Sequence, residues 1–174
     1  MMRSVTSTQF RLILKDVFPQ KQRKYLIRES LPLLMDGEKM AKLYGRKPNS
    51  YPGKQTHAQL HQESKLSPLI YYMIKVVYQY TGMRFTIQRA WVNWTNGEKE
   101  QINWHTHPNS DVSLVYYMDI PLPFFSNGTL FRDKFIKVPQ NSLLLFPSSM
   151  EHTAPPSPLR FDRYTMALSL IYDF

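Results

Sequence analysis

The stretch RYTMALSLIYDF, residues 163–174, alternates between two kinds of side chain. In an extended strand Arg163, Thr165 and Ala167 fall on one face, while bulky apolar residues such as Met166 fall on the other. The first face leaves room for a pocket, and the second is suited to packing into a core. The stretch therefore predicts a strand that forms part of a pocket floor.

Seven other stretches from Arg84 onward share this period of two and are rich in β-branched and aromatic residues. Turn signals such as TNGE, SNG and PQN separate them. Each is predicted to be a short strand. In chain order they are RFTIQRAWVNW, QINWHTH, SLVYYMDI, GTLFRD, KFIKV, SLLLFP and EHTAPP.

Two helices are predicted before these strands, because apolar residues recur there at helical spacing. The first extends from Pro19 to about Met35, with Pro32 as a candidate position for a kink, and stops at Gly37. The second has Ser67 as its N-cap and Gly82 as its C-terminal stop.

Together these elements predict a single domain at 1–174, with a helical support region at 1–83 and a β core at 84–174. Eight strands after two helices indicate a mainly β, α+β fold. The expected architecture is a jelly roll or small barrel buttressed by two helices.

The net charge of +9 is unevenly distributed. Residues 1–83 hold 14 Lys/Arg and 5 Asp/Glu, whereas residues 84–174 hold 8 of each. The excess predicts an anionic substrate or partner, although a solvated basic helix surface would give the same count. Nucleic-acid contact would also suit the charge, but no recognised motif for it is present.

The absence of cysteine excludes disulfides, thiolate metal ligands and cysteine nucleophiles. Any metal must then be held by His, Asp or Glu. No apolar run approaches the roughly 18 residues that a membrane helix needs, and the first residues carry no export signal. A cytoplasmic protein without membrane contact is expected.

Two of the five histidines stand two residues apart in NWHTHPNSD, residues 103–111. On a strand, His105 and His107 would share one face, and Pro108 would end the strand and leave both rings at its mouth. His152 follows the apolar strand SLLLFP and could face them. An H-x-H pair alone is weak evidence, but three protein ligands with open positions are typical of a catalytic metal.

The surrounding sequence resembles the iron(II)- and 2-oxoglutarate-dependent oxygenases, in particular short bacterial and phage members. The resemblance covers residues 84–174 and lies in QINWHTHPNSDVSLVYYMDIP, NGTLF, NSLLLFPSSMEHTAPP and RYTMALSLIYDF. It implies a double-stranded β-helix, a jelly-roll and cupin-like fold. It also implies an enzyme that uses iron(II), 2-oxoglutarate and O2 to hydroxylate a substrate, here unidentified, with release of succinate and CO2.

By position, the resemblance makes His105 and His152 iron ligands and places Arg163 against the far carboxylate of 2-oxoglutarate. The planar fork of arginine can bind a carboxylate through two parallel hydrogen bonds. Thr165 matches a hydroxyl residue that would assist Arg163. Asn93, on an alternating strand, is a further candidate for contact with cosubstrate or substrate.

His107 departs from the family pattern, since most members place Asp or Glu at this position. His107 is the preferred third ligand because it would share a strand face with His105, and Asp111 and Asp119 are the acidic alternatives. Two other readings stay open: a three-histidine, cupin-type dioxygenase that does not use 2-oxoglutarate, and a non-catalytic jelly-roll binding protein.

Overall fold

The computed structural model describes residues 10–45, 53–96, 103–120, 127–155 and 162–173. Its helical elements are α1 (Gln20–Ser30), α2 (Gly37–Tyr44), α3 (Ser67–Thr81) and two 3₁₀ turns, Leu31–Leu33 and Leu60–Gln62. Its strands are β1 (Leu12–Leu14), β2 (Lys54–Gln55), β3 (Phe85–Thr95), β4 (Val112–Asp119), β5 (Gly128–Phe131), β6 (Phe135–Lys137), β7 (Ser142–Pro147), β8 (His152–Thr153) and β9 (Arg163–Tyr172).

The strands form two antiparallel sheets. The larger sheet has the order β1-β7-β4-β9-β3-β2, and the smaller one has the order β6-β5-β8. The predicted fold class, mainly β with N-terminal helices, is confirmed. The N-terminal part of the chain also contributes β1 and β2, which lie at opposite edges of the larger sheet.

The helices cover one face of the larger sheet. In α3 the buried residues Ile70, Met73, Val76 and Val77 recur at helical spacing and form one apolar stripe. They belong to the same core as buried residues of the central strands, among them Met166 of β9. The opposite face of the larger sheet is thereby left to face the smaller sheet.

Three predictions about individual elements were wrong. The first helix ends at Ser30, earlier than expected, and continues only as the 3₁₀ turn Leu31–Leu33, because Pro32 has no amide hydrogen for the next helical bond. Asp36 then caps a separate helix, α2, by accepting a hydrogen bond from the Lys39 amide at 2.9 Å. Gly37 therefore begins a helix instead of ending one. Ser67 is the first residue of α3 and not its N-cap, whereas Gly82 ends that helix in the left-handed conformation, as predicted.

The third error concerns QINWHTH, whose first two residues lie outside the described part of the chain. Residues 103–107 do not form a strand, and His105 makes only an isolated antiparallel bridge to His152. Pro108 cannot extend a ladder because it has no amide hydrogen. The segment is instead attached through the amides of His105 and His107, which donate to the carbonyls of His152 at 3.0 Å and Ser148 at 2.9 Å.

Among the described residues, no helix combines the length and the apolarity that are needed to span a lipid bilayer.

Candidate metal centre and its cavity

A cavity of about 790 Å³ lies between the two sheets. Its floor is the face of the larger sheet that the helices leave uncovered. Arg163, Thr165 and Ala167 of β9 line it, as the alternation of that strand predicted. The register pairs Thr165 with Asn93 of β3 on one side and with Tyr117 of β4 on the other, so side chains of three strands converge on one surface.

His105, His107 and His152 meet at this cavity. Their ring centroids lie 5.1 Å apart for His105 and His107, 4.4 Å for His105 and His152, and 5.3 Å for His107 and His152. One nitrogen from each ring falls within 4.8 Å of the other two, and no other such group of potential metal ligands occurs among the described residues.

Hydrogen bonds to backbone carbonyls determine which ring nitrogen of His105 and of His152 is free to bind a metal. Nδ1 of His105 is 2.8 Å from the carbonyl oxygen of Asn103, and Nδ1 of His152 is 2.8 Å from that of Met150. In a neutral ring Nδ1 must then carry the proton and donate it, which leaves the Nε2 lone pair available. Such second contacts are usual for metal-binding histidines.

The environment also keeps two of the three rings, those of His107 and His152, neutral at neutral pH. Burial, with a contribution from the charge of His105, lowers the pKa of His152 to about 3. Burial, with contributions from His105 and Arg89, lowers the pKa of His107 to about 4. Neutral imidazoles with directed lone pairs are the form that binds a transition metal, so this donor set fits one.

Three serine hydroxyls support the His107 turn. Ser148 is fully buried, and its Oγ lies 2.8 Å from Oγ of Ser113 and 2.9 Å from Oγ of Ser110. Oγ of Ser110 is in turn 3.1 Å from the carbonyl oxygen of His107, to which it donates. Ser148 therefore connects the histidine turn to strand β4.

Replacement of Ser148 with alanine is expected to destabilise the protein by about 1–3 kcal/mol, because buried hydroxyl groups lose a partner. It should also weaken metal binding by about tenfold or more, the usual effect of losing a residue that orients a ligand. Chemical denaturation and iron(II) titration would measure the two effects. Ser142→Ala, at a buried serine at the opposite end of β7, should leave the metal affinity unchanged; an equal loss there would refute the role of Ser148.

Arg163 is 6% exposed, and its Nη1 donates to the carbonyl of Pro155 at 3.1 Å. It makes no ion pair with any residue that the structure describes. Asn93 also lines the cavity, where its Oδ1 accepts a hydrogen bond from Nε2 of Gln55 at 2.7 Å. Thr165 lies between the strands that carry Asn93 and Tyr117.

Tyr117 and Thr129 were not singled out from the sequence. The Tyr117 hydroxyl is buried and forms a hydrogen bond with Oγ1 of Thr129, at 2.6 Å between the two oxygens. Both residues line the cavity. Burial raises the pKa of Tyr117 to about 12, so this hydroxyl keeps its proton at neutral pH. The alternation of Ser113, Val115 and Tyr117 in SLVYYMDI was the available signal, but it could not identify the facing partner on another sheet.

The acidic alternatives to His107 lie elsewhere. Asp111 accepts a hydrogen bond from the Tyr172 amide at 2.9 Å, and Asp119 is exposed at the end of β4. Neither is among the residues that line the cavity. His107 is therefore the candidate third ligand that the structure brings to His105 and His152.

No family model and no curated protein matches this sequence. Its three-dimensional structure, however, is similar to several solved structures. The viral collagen prolyl hydroxylase of Paramecium bursaria Chlorella virus-1, in its 2-oxoglutarate complex, is 11% identical with a TM-score of 0.69, covering 96% of this chain and 98% of that one. HygX of Streptomyces hygroscopicus, with nickel and 2-oxoglutarate bound, is 12% identical with a TM-score of 0.66, covering 96% and 84%.

A prolyl hydroxylase of Trichoplax adhaerens, in complex with a peptide of hypoxia-inducible factor, is 17% identical with a TM-score of 0.63, covering 92% of this chain and 83% of that one. At these identities the likeness establishes the fold. It is the fold of 2-oxoglutarate oxygenases, the double-stranded β-helix, which confirms the architecture implied by the resemblance in sequence.

Proposed function

We propose that the protein is an iron(II)- and 2-oxoglutarate-dependent dioxygenase that hydroxylates an organic substrate and releases succinate and CO2. The observation that carries the proposal is the presence, in one cavity, of three histidines and a buried arginine to which no described residue offers a carboxylate. The solved oxygenases that share the fold support it, since two of them hold 2-oxoglutarate.

His105, His107 and His152 would hold the iron. Three protein ligands leave coordination positions for a cosubstrate and O2, whereas closed structural sites use four. When bound, iron(II) and 2-oxoglutarate supply the oxidising chemistry, and the protein supplies orientation and a water-poor cavity. Val115 and Ala167 give the floor apolar surface between the polar groups.

Arg163 would bind the far carboxylate of 2-oxoglutarate. A buried charge is costly unless it is paired, and the described residues offer Arg163 a carbonyl but no carboxylate. Thr165 lies two residues after Arg163 on β9 and lines the same cavity, so its hydroxyl can donate to the same carboxylate. The protonated hydroxyl of Tyr117 is a second donor at this end, and Asn93 is placed to contact the cosubstrate or substrate.

A three-histidine dioxygenase that does not use 2-oxoglutarate is the second candidate, because the ligand set contains no carboxylate. That reading leaves the buried charge of Arg163 without a role. A non-catalytic binding protein would explain neither the oriented imidazoles nor the arginine.

Succinate formation separates these candidates. Iron(II)-loaded protein in air, supplied with 2-oxoglutarate, is expected to release succinate, and the correct substrate should stimulate that release. The matched control is His105→Ala, which should form none. Oxygen uptake without succinate would favour the second candidate, and failure to bind iron(II) would favour a non-catalytic role.

A further inference from the structure

A β-bulge in β3 exchanges the two faces of that strand. Phe85 and Ile87 are buried in the helix-covered core, whereas beyond the bulge the buried core residues are Ala90 and Val92. The register to β9 shifts between Ile87 and Arg89, which leaves one extra residue on β3. Without the extra residue, strict alternation would point the Arg89 side chain into the apolar core. Because the extra residue is present, Arg89 lines the cavity instead.

The cavity has an unbalanced charge. Arg89 and Arg163 are the charged side chains among the described residues that line it, and no Asp or Glu lines it. Arg89 is exposed, so it lies at the solvent side of the cavity, and it makes no hydrogen bond or ion pair with a described residue. Imidazole binds a metal as an uncharged ligand, so three histidine ligands would not reduce the charge of a divalent metal. One dianionic cosubstrate would thus leave an excess of positive charge beside Arg89.

An aromatic side chain lies beside the histidines on the same strand as Arg89. Trp91 follows Arg89 on the cavity face of β3, and its ring centroid lies 5.7 Å from that of His107. A molecule held by the arginine would lay its apolar part on this indole and present carbon atoms toward the histidine cluster.

We infer that the substrate is an organic anion whose carboxylate or phosphate group binds Arg89 and whose apolar part packs on Trp91. The inference rests on the proposed function, in which 2-oxoglutarate occupies Arg163. The guanidinium fork suits either group, because both offer two oxygens for parallel hydrogen bonds. Bulges beside active sites commonly redirect a side chain, and here the redirected residue carries the charge.

The probes are two pairs of small aromatic compounds, each an anion with a neutral counterpart: benzoate with benzamide, and phenyl phosphate with phenol. Binding is measured by calorimetry on oxygen-free protein loaded with iron(II) and saturated with 2-oxoglutarate, so that the metal positions and Arg163 are occupied. At least one anion should bind about tenfold more tightly than its neutral counterpart. The pair that shows this preference distinguishes carboxylate from phosphate recognition.

Arg89→Gln should abolish the preference, and Arg89→Lys should keep part of it. The matched control is Arg84→Gln, at an exposed arginine that precedes β3 and does not line the cavity; it should bind the probes like the wild type. Equal binding of anion and neutral compound in the wild type would overturn the inference. So would an unchanged preference in Arg89→Gln, or an equal loss in Arg84→Gln.

The same samples separate the two proposals. Titration with 2-oxoglutarate before the probes tests the proposed function, and Arg89→Gln should bind 2-oxoglutarate as tightly as the wild type. A wild type that binds 2-oxoglutarate but shows no anion preference refutes only the role of Arg89. A wild type that does not bind 2-oxoglutarate refutes the proposed function itself, and with it the substrate class inferred here.

Discussion

His152→Ala should leave the protein without measurable iron(II) binding. His152 is buried, and its ring is held in one orientation by the Met150 carbonyl and by contact with Phe146 at 4.7 Å between centroids. Its removal leaves two imidazoles, which bind a divalent metal far more weakly than three. The same result is expected for His105→Ala. Anaerobic titration with iron(II), followed by measurement of bound metal, tests both.

The appropriate control is His57→Ala. His57 lies outside the cavity lining, where its Nε2 is 3.0 Å from a carboxylate oxygen of Glu63, so its loss should not affect iron binding. Each variant should keep cooperative thermal unfolding, because alanine at His152 removes a ring and leaves the backbone bridge to His105 intact. Full iron affinity in a folded His152→Ala or His105→Ala protein would refute the metal centre.

Much of the β core could be predicted from the sequence, because its strands either alternate or form short apolar runs between turn signals. In β9 the period of two is uninterrupted from Arg163 to Tyr172, and SLLLFP coincides with β7. The N-terminal part was harder to predict, since its local signals are ambiguous. Gly37 can end a helix or follow an N-cap, and only the hydrogen bond of Asp36 to Lys39 decides between them. The edge strands β1 and β2 have three and two residues, too short for a periodic pattern.

The histidine cluster was predicted from an incorrect premise. His105 and His107 were expected together because a strand would place them on one face, but residues 103–107 form no strand. Their rings converge because separate backbone hydrogen bonds attach them to His152 and Ser148. The bulge before Arg89 was equally inaccessible, because a register shift depends on the partner strand. Alternation along a strand can show which side chains share a face. Which other segments pack against that face is determined by contacts between residues far apart in the sequence.

Arg163→Ala should leave iron(II) binding nearly unchanged and weaken 2-oxoglutarate binding by roughly 1.5–3 kcal/mol, the range for a hydrogen bond to a charged group. The reason is the placement of Arg163 on the cavity floor, buried and without an ion pair to any described residue. Arg163→Lys should recover part of the affinity, because a point charge attracts the carboxylate but cannot form two parallel hydrogen bonds. Calorimetric titration of the oxygen-free, iron(II)-loaded protein with 2-oxoglutarate measures each affinity.

A structural role for Arg163 would give a different pattern. Its Nη1 hydrogen bond to Pro155 could position that segment, and its loss would then lower stability in every variant while the affinity for 2-oxoglutarate followed the folded fraction. Arg163→Gln addresses this, since the amide can still donate to the carbonyl but carries no charge. A folded Arg163→Gln protein that binds iron(II) normally and 2-oxoglutarate poorly would assign the loss to the missing charge. Wild-type affinity in that variant would refute the pairing of Arg163 with the cosubstrate carboxylate.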